Sequence, residues 1–337
     1  MRGATNIIIS PDGDLHLVSF ATLKKDRRFL VEDCSIRYMT SGRSLLKAPS
    51  RPSSRQVEIW ADPAFDDSPA ERTMASSFMQ KLQAAWWGQG TASRAFFQGT
   101  FSPLRYTADE AAALQKVAIG WGLKANLHLG AAASKSELMK VQHPLVLHLA
   151  THGFFVGSEV AGTNDSLGIA PPMGKWTGQA LMQGSGIALA GANRTVAAAK
   201  RAEVPPFGAE GVVFADEMAT LDLQDTWIAT LSACDTGVGE LADGEGVLAL
   251  NTALFQAGAR NALFTLWRVN DRYAVNFMRD FYSAALASGD PPQALCDLQR
   301  RELAASSGRP LWERVKLAGP FVMTTAGNTS ARPSVLR

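Results

Sequence analysis

The chain has 337 residues, of which 46% are hydrophobic and 19% charged, with 33 Lys and Arg against 31 Asp and Glu for a formal net charge of +2. That composition excludes a disordered or fibrous chain and suits roughly two globular domains, long enough to bury a core without staples. So weak a charge argues against a phosphate backbone or an anionic membrane as the main partner, and three cysteines without a Cys-x-x-Cys pair exclude a disulfide scaffold and suit a reducing cytoplasm.

In chain order, Asn6–Ser10 and Leu15–Phe20 flank the turn Pro11-Asp12-Gly13-Asp14, so the opening reads as a hairpin. Met1–Ser10 carries one Arg and a three-Ile run, too short for a signal peptide. Phe29–Val31 and Ser35–Tyr38 extend this β-rich opening, with Lys24, Lys25, Arg27 and Arg28 on a solvated turn. Ser44–Lys47 starts a helix, Ala48–Arg55 is a Pro/Ser-rich connection, and Val57–Ala61 is a strand. Residues 62–105 are mixed, with Trp86-Trp87 and Phe96-Phe97 as core candidates.

From about residue 106, strands alternate with helices. Thr107, followed by Asp109 and Glu110 and an Ala/Leu run, predicts a helix to about Gly120, and Ser134-x-x-Glu137 has capping-box spacing for a second. Leu145–Ala150 and Trp227–Ser232 are apolar runs of buried-strand length; one leads to Thr151-His152-Gly153, the other to Ala233-Cys234-Asp235. Phe155 to about Gly211 is rich in Gly, Ala and Pro and has little periodicity. Gly246–Ala257, Asp271–Ala287 and Pro291–Ala305 read as helices, Asn261–Trp267 and Pro320–Thr324 as strands, and Gly327–Arg337 as a polar, disordered tail. No uncharged apolar stretch reaches the roughly 18 residues of a membrane span. Strands separated by helices imply an α/β fold with a mostly parallel central sheet and helices on both faces.

Reactive groups in such a sheet gather at the carboxyl ends of its strands. If the strands ending near His152 and Cys234 are neighbours, an imidazole and a thiol meet at one sheet edge. The imidazole can then lower the thiol pKa or accept its proton, giving a thiolate nucleophile. The backbone N–H groups of Gly153 and Cys234 suit a developing oxyanion, and Gly237 and Gly239 let the chain turn sharply afterwards.

Other chemistry fits less well. His148 and His152 are four apart, which on a strand is about 13 Å, too far to share a metal ion. His148 therefore reads as a buried, hydrogen-bonded strand residue, and no metal or other cofactor is expected. Gly237-x-Gly239-x-x-Ala242 mimics a dinucleotide fingerprint but lacks the acidic residue about 20 positions on. No Gly-x-Ser-x-Gly elbow or Walker loop occurs. Cys34 and Cys296 read as inert core thiols.

Several motifs occur in a set order: IIISPDGDLHLVSF at Ile7–Phe20, SGRSLL within Tyr38–Leu46, LHLATHGFF at Leu147–Phe155, GIALAGAN at Gly186–Asn193, LSACDTGVGELADGEG at Leu231–Gly246 and AGARNALFTLWRVND at Ala257–Asp271. Together, across residues 6–324, they resemble the CHAT family, a caspase-like peptidase domain often found beside tetratricopeptide repeats and related to separase and caspases. The resemblance implies a caspase-like cysteine endopeptidase, with His152 as general base and then acid, Cys234 as nucleophile, Gly153 and Cys234 as oxyanion donors, and no metal. It also implies a degenerate caspase-like lobe at 1–105, a catalytic lobe at 106–324 and a disordered tail at 325–337.

The resemblance also implies substrate contacts at Asp235, Trp267 and Asp271. Asp235 is expected to line the substrate pocket or cap the glycine turn; Asp271 lies in a loop that resembles the separase segment whose acid faces the residue before the scissile bond, and is expected to take that role or cap the following helix. Asp243 and Glu245 suit the start of the next helix. Ser19 stands where the family usually has Pro, and Asn270 where Asp is common. The interval from His152 to Cys234 exceeds the about 50 residues of caspases. Part of 156–211 is therefore expected to shape the substrate groove or change order on activation. The implied partners are a protein or peptide substrate and a tetratricopeptide-repeat or other regulatory protein, with no nucleic acid or membrane, in the cytoplasm. The chain then reads as a fragment of a larger regulatory protein or as one that works with it. The competing reading is a catalytically silent CHAT module that binds partners.

Overall fold

The computed structural model describes residues 5–46, 52–67, 100–155, 178–201, 210–232, 245–267, 269–327 and 333–336. The first strand, β1 (Asn6–Ile9), has no hairpin partner. Its Asp-Gly turn feeds a 3-10 segment at Gly13–Leu17, where Leu15 N–H donates to Asp12 O and Val18 N–H to Leu15 O. Local bonds thus satisfy the backbone that the expected hairpin would have paired. A two-stranded ribbon, β2 (Lys24–Lys25) and β3 (Arg28–Phe29), turns at Asp26 with φ of +55° and leaves its lysines exposed. A short helix, α1 (Leu30–Asp33), replaces the strand expected through Val31, and β4 (Ser35–Met39) pairs in parallel with β1. Gly42–Leu46 is a 3-10 turn rather than the start of an α-helix.

The alternating region begins with β5 (Gln56–Pro63), α2 (Thr107–Gly120), β6 (Lys124–Gly130) and α3 (Lys135–Leu138). Ser134 caps α3 by accepting from Glu137 N–H, as its spacing predicts. Then come β7 (Val146–Ala150) and β8 (Gly153–Phe155). Although 155–211 shows little periodicity, it contains α4 (Gly178–Gly184), β9 (Ser185–Ala188) and α5 (Ala192–Lys200). α5 escapes a hydrophobic-pattern reading because its helix formers are mostly alanines, which favour helix without marking a face. The chain continues through β10 (Val212–Phe214), α6 (Ala215–Met218), β11 (Ile228–Leu231), α7 (Glu245–Gln256) and β12 (Asn261–Thr265). It ends with α8 (Asp271–Ser288), α9 (Pro291–Ala305), α10 (Leu311–Ala318) and β13 (Phe321–Thr325). Trp86, Trp87, Phe96 and Phe97 lie outside the described residues.

Eight strands form one sheet in the order β1-β4-β13-β12-β11-β7-β5-β6. Every neighbouring pair is parallel except β12–β13. Side chains alternate between two apolar layers. Leu147 and Leu149 of β7 face a cluster that includes Ala249, Leu250, Ala253 and Leu254 of α7. Val146 and Ala150 face Ala111, Leu114 and Ala118 of α2 and Phe277, Met278 and Phe281 of α8. Burial of each such large side chain contributes about 1.5–3 kcal/mol. This is the expected α/β, caspase-like arrangement, a large and mostly parallel sheet flanked by helices.

Strands from either side of residue 105 share that sheet. β5 sits between β6 and β7, and β1 and β4 reach the other strands through β13. A second, antiparallel sheet, β10-β9-β8, stands beside the carboxyl end of β7. In the stretch expected to be a disordered tail, Ser334–Leu336 forms a 3-10 turn; Leu336 is buried and Ser334 N–H donates to Pro52 O.

Candidate active site

β7 leaves the middle of the sheet at Ala150, and the chain then enters β8 with His152 fully buried at the junction. Two anchors hold this junction: Thr151 Oγ1 donates to Ala188 O, and Ala188 N–H donates to His152 O at 2.9 Å. The imidazole packs against two phenyl rings that also touch each other, 5.1 Å from the Phe65 centroid and 5.7 Å from that of Phe101. Its Nε2 is 2.7 Å from Ser102 O. A carbonyl only accepts, so Nε2 carries the proton and Nδ1 is the basic nitrogen of the neutral ring. The structure therefore fixes both ring direction and tautomer, which a general base needs.

β11 runs beside β7 in parallel, Leu231 opposite Leu149, and Ser232 N–H donates to Leu149 O at 2.9 Å. The segment leading towards Cys234 thus leaves the sheet at the same rim as the one leading to His152. β12 lies on the other side of β11, also parallel, so its carboxyl end opens onto that rim too. His152 and Ala188 share the hydrogen-bonded position of the β8–β9 pairing, which makes Gly153–Ile187 the non-hydrogen-bonded pair. The Gly153 N–H consequently points away from β9, on the edge strand of the small sheet.

A polar chain that the sequence did not reveal lies behind these strands. His148, fully buried, places Nδ1 3.2 Å from the Tyr282 hydroxyl, which is 2.6 Å from Thr230 Oγ1. Its Nε2 is 2.9 Å from Glu110 Oε1, set off the line of a hydrogen bond. Ser232 Oγ donates to the other oxygen of Glu110 at 3.5 Å. Burial pushes the Tyr282 phenol well above the ordinary tyrosine range, so it remains a neutral donor. Glu110 is read from sequence as first-turn helix chemistry; nothing local marks it as the buried partner of a histidine on another element.

A family model for the CHAT domain matches residues 1–326. The chain belongs to the CHAT domain family. CHAT domains are a caspase-like peptidase family and are associated in general with tetratricopeptide-type regulatory regions. No curated protein matches the chain. Within this CHAT domain, Cys234 and Asp235 lie outside the described residues, as do Gly237, Gly239, Ala242 and Asp243. Trp267 stands just beyond β12, half-buried, against Gly319; a Cβ there would lie 2.8 Å from Trp267 Cη2. Asp271 is the first residue of α8, and Asn270, one position earlier, is its cap, accepting from Tyr273 N–H. The helix-capping role considered for Asp271 therefore belongs to Asn270, whose amide oxygen reaches the third helical N–H.

The two described cysteines are buried. Cys34 Sγ donates to Leu30 O, Cys296 Sγ accepts from Ile36 N–H, and burial pushes both thiols above the ordinary range. Among the described residues, no group of three His, Cys, Asp or Glu side chains is arranged to hold a metal ion, and no helix is long and apolar enough to cross a membrane.

Proposed function

We propose that this CHAT domain is a cysteine endopeptidase whose dyad is His152 and Cys234. The observation that carries the proposal is the 2.7 Å contact between His152 Nε2 and Ser102 O, which leaves Nδ1 as the base. The parallel β7–β11 pairing supports it, because both candidate residues follow strands that end at one rim. Nδ1 of His152 takes the proton from the Cys234 thiol, and the thiolate attacks the scissile carbonyl carbon. The N–H groups of Gly153 and Cys234 hold the resulting oxyanion. The imidazolium returns its proton to the departing amine as the C–N bond breaks and a thioester remains. A water, deprotonated by His152, then cleaves the thioester and restores the thiol.

Substrate binds as an extended peptide along a sheet edge, with backbone pairing for affinity and Asp235, Trp267 and Asp271 for selectivity. Part of 156–211 shapes the groove, and a tetratricopeptide-repeat or other regulatory protein controls it. The test is to incubate wild type and Cys234→Ala with a proteome, with and without such a partner, and to sequence new peptide termini. New termini are expected from the wild type and reduced about a thousandfold or more by the substitution. Termini that persist in Cys234→Ala would remove the thiol from the mechanism; none from either protein under any condition would favour a silent binding module.

A further inference from the structure

We propose that Asn193, in the first turn of α5, is a positioning residue that holds His152 in its basic tautomer by clamping the backbone just before Ser102. The inference rests on His152 being the base. The sequence motif GIALAGAN ends at Asn193, and nothing in the mechanism above uses it.

The side-chain amide is buried and meets both backbone groups of Phe101: Oδ1 accepts from Phe101 N–H at 2.7 Å, and Nδ2 donates to Phe101 O at 3.0 Å. This reproduces with one side chain the two-bond exchange of a β pair. Nδ2 also donates to Asp66 Oδ1 at 2.8 Å, and the backbone N–H of Asn193 donates to Phe65 O at 2.9 Å. One turn of helix therefore grips both the Phe65 segment and the Phe101 segment, whose rings pack against the imidazole.

Ser102 O, the acceptor that dictates the tautomer, belongs to the residue next to the clamped one. With the Phe101 carbonyl pinned, the Ser102 carbonyl has only the dihedrals of its own residue left with which to swing. Few other side chains can do this at one position. The clamp needs an acceptor and a donor in one short plane, with the donor facing a carbonyl and a carboxylate. Asp would set a second acceptor against both. Without the clamp, Ser102 O drifts from Nε2, the two neutral tautomers mix, and the ring spends part of its time with a proton on Nδ1.

The experiment is ¹⁵N NMR of the full chain labelled at histidine, comparing wild type with Asn193→Asp, which keeps the shape, and Asn193→Ser. His152→Gln assigns the His152 signals by subtraction. The wild type is expected to show His152 as a single Nε2–H tautomer. In the variants its two nitrogen signals should move towards the tautomer average, while those of His128 and His148 stay in place. Iodoacetamide capture of Cys234 at neutral pH should slow by about tenfold. His152 signals that remain at wild-type positions in folded Asn193→Asp or Asn193→Ser would overturn the proposal. So would movement of all histidine signals together or failure of both variants to fold, since Asn193 would then serve the fold rather than the ring. The dyad is judged separately: if His152→Gln leaves Cys234 capture unchanged, the dyad fails, whereas the tautomer readout needs no thiol.

Discussion

Glu58 faces β6 from β5 with both carboxylate oxygens engaged. Asn126 Nδ2 donates to one at 2.6 Å, and His128 Nε2 lies 3.0 Å from the other, its ring stacked on Trp60 at 3.8 Å. Burial alone would push this carboxyl up, but the hydrogen bonds from His128 and Asn126 outweigh it and hold the group below the usual glutamate range. A carboxylate depressed in the folded state stabilises the fold above its unfolded pKa, about 4.3, and that contribution disappears as pH falls through the lower folded value. Glu58→Gln should therefore lower the melting temperature at neutral pH and flatten its decline below about pH 4.5. Melting curves across that range check this; an equal drop at every pH would mean that packing, not charge, is lost. Glu58 lies at the far end of β5 from the rim, so activity should not follow this titration.

Between α5 and β10, Gly211 touches the helix backbone directly. Its N–H donates to Thr195 Oγ1 at 2.8 Å and its carbonyl accepts from Leu189 N–H at 2.6 Å. A Cβ there would lie 2.0 Å from Ala192 N and 2.2 Å from Gly191 C, and backbone atoms cannot rotate aside as a side chain can. Gly211→Ala should cost about 2–3 kcal/mol, measured by chemical denaturation, because the first turn of α5 must move. A variant as stable as wild type would show that this junction gives way easily. Elements also differ in how much of them can be read from the chain. β7, β11 and β12 are legible as apolar runs, and α2, α8 and α9 through their spacing and end residues. The opening hairpin misleads because Asp-Gly serves a 3-10 turn as well as a β-turn. His152 is legible from its place after a strand, but its orienting group is a backbone carbonyl in Ser102, which has no side-chain signature. Glu110 and Asn193 matter through partners far away in sequence, so no window around either residue contains the information.

In the whole molecule, the C-terminal segment binds to segments remote from it in the chain. Ser334 bonds to Pro52, and Leu336 packs with the layer formed by α2, α8 and α9. Removing residues 333–337 should lower stability by about 1.5–3 kcal/mol, the value of one buried leucine, with the fold retained. Calorimetry tests this, and an unchanged melting curve would make the docking incidental. β13 has the larger consequence. It is the antiparallel bridge through which β1 and β4 join the sheet, and α9 backs β4 through Arg300, which donates to Ser35 Oγ, and Cys296, which accepts from Ile36 N–H. Residues 6–39 pair with one another but connect to the central strands through residues 321–325. A chain cut short before Phe321 would keep the β1–β4 pair but leave it severed from β12, so the sheet closes as one unit only when both distant segments are present.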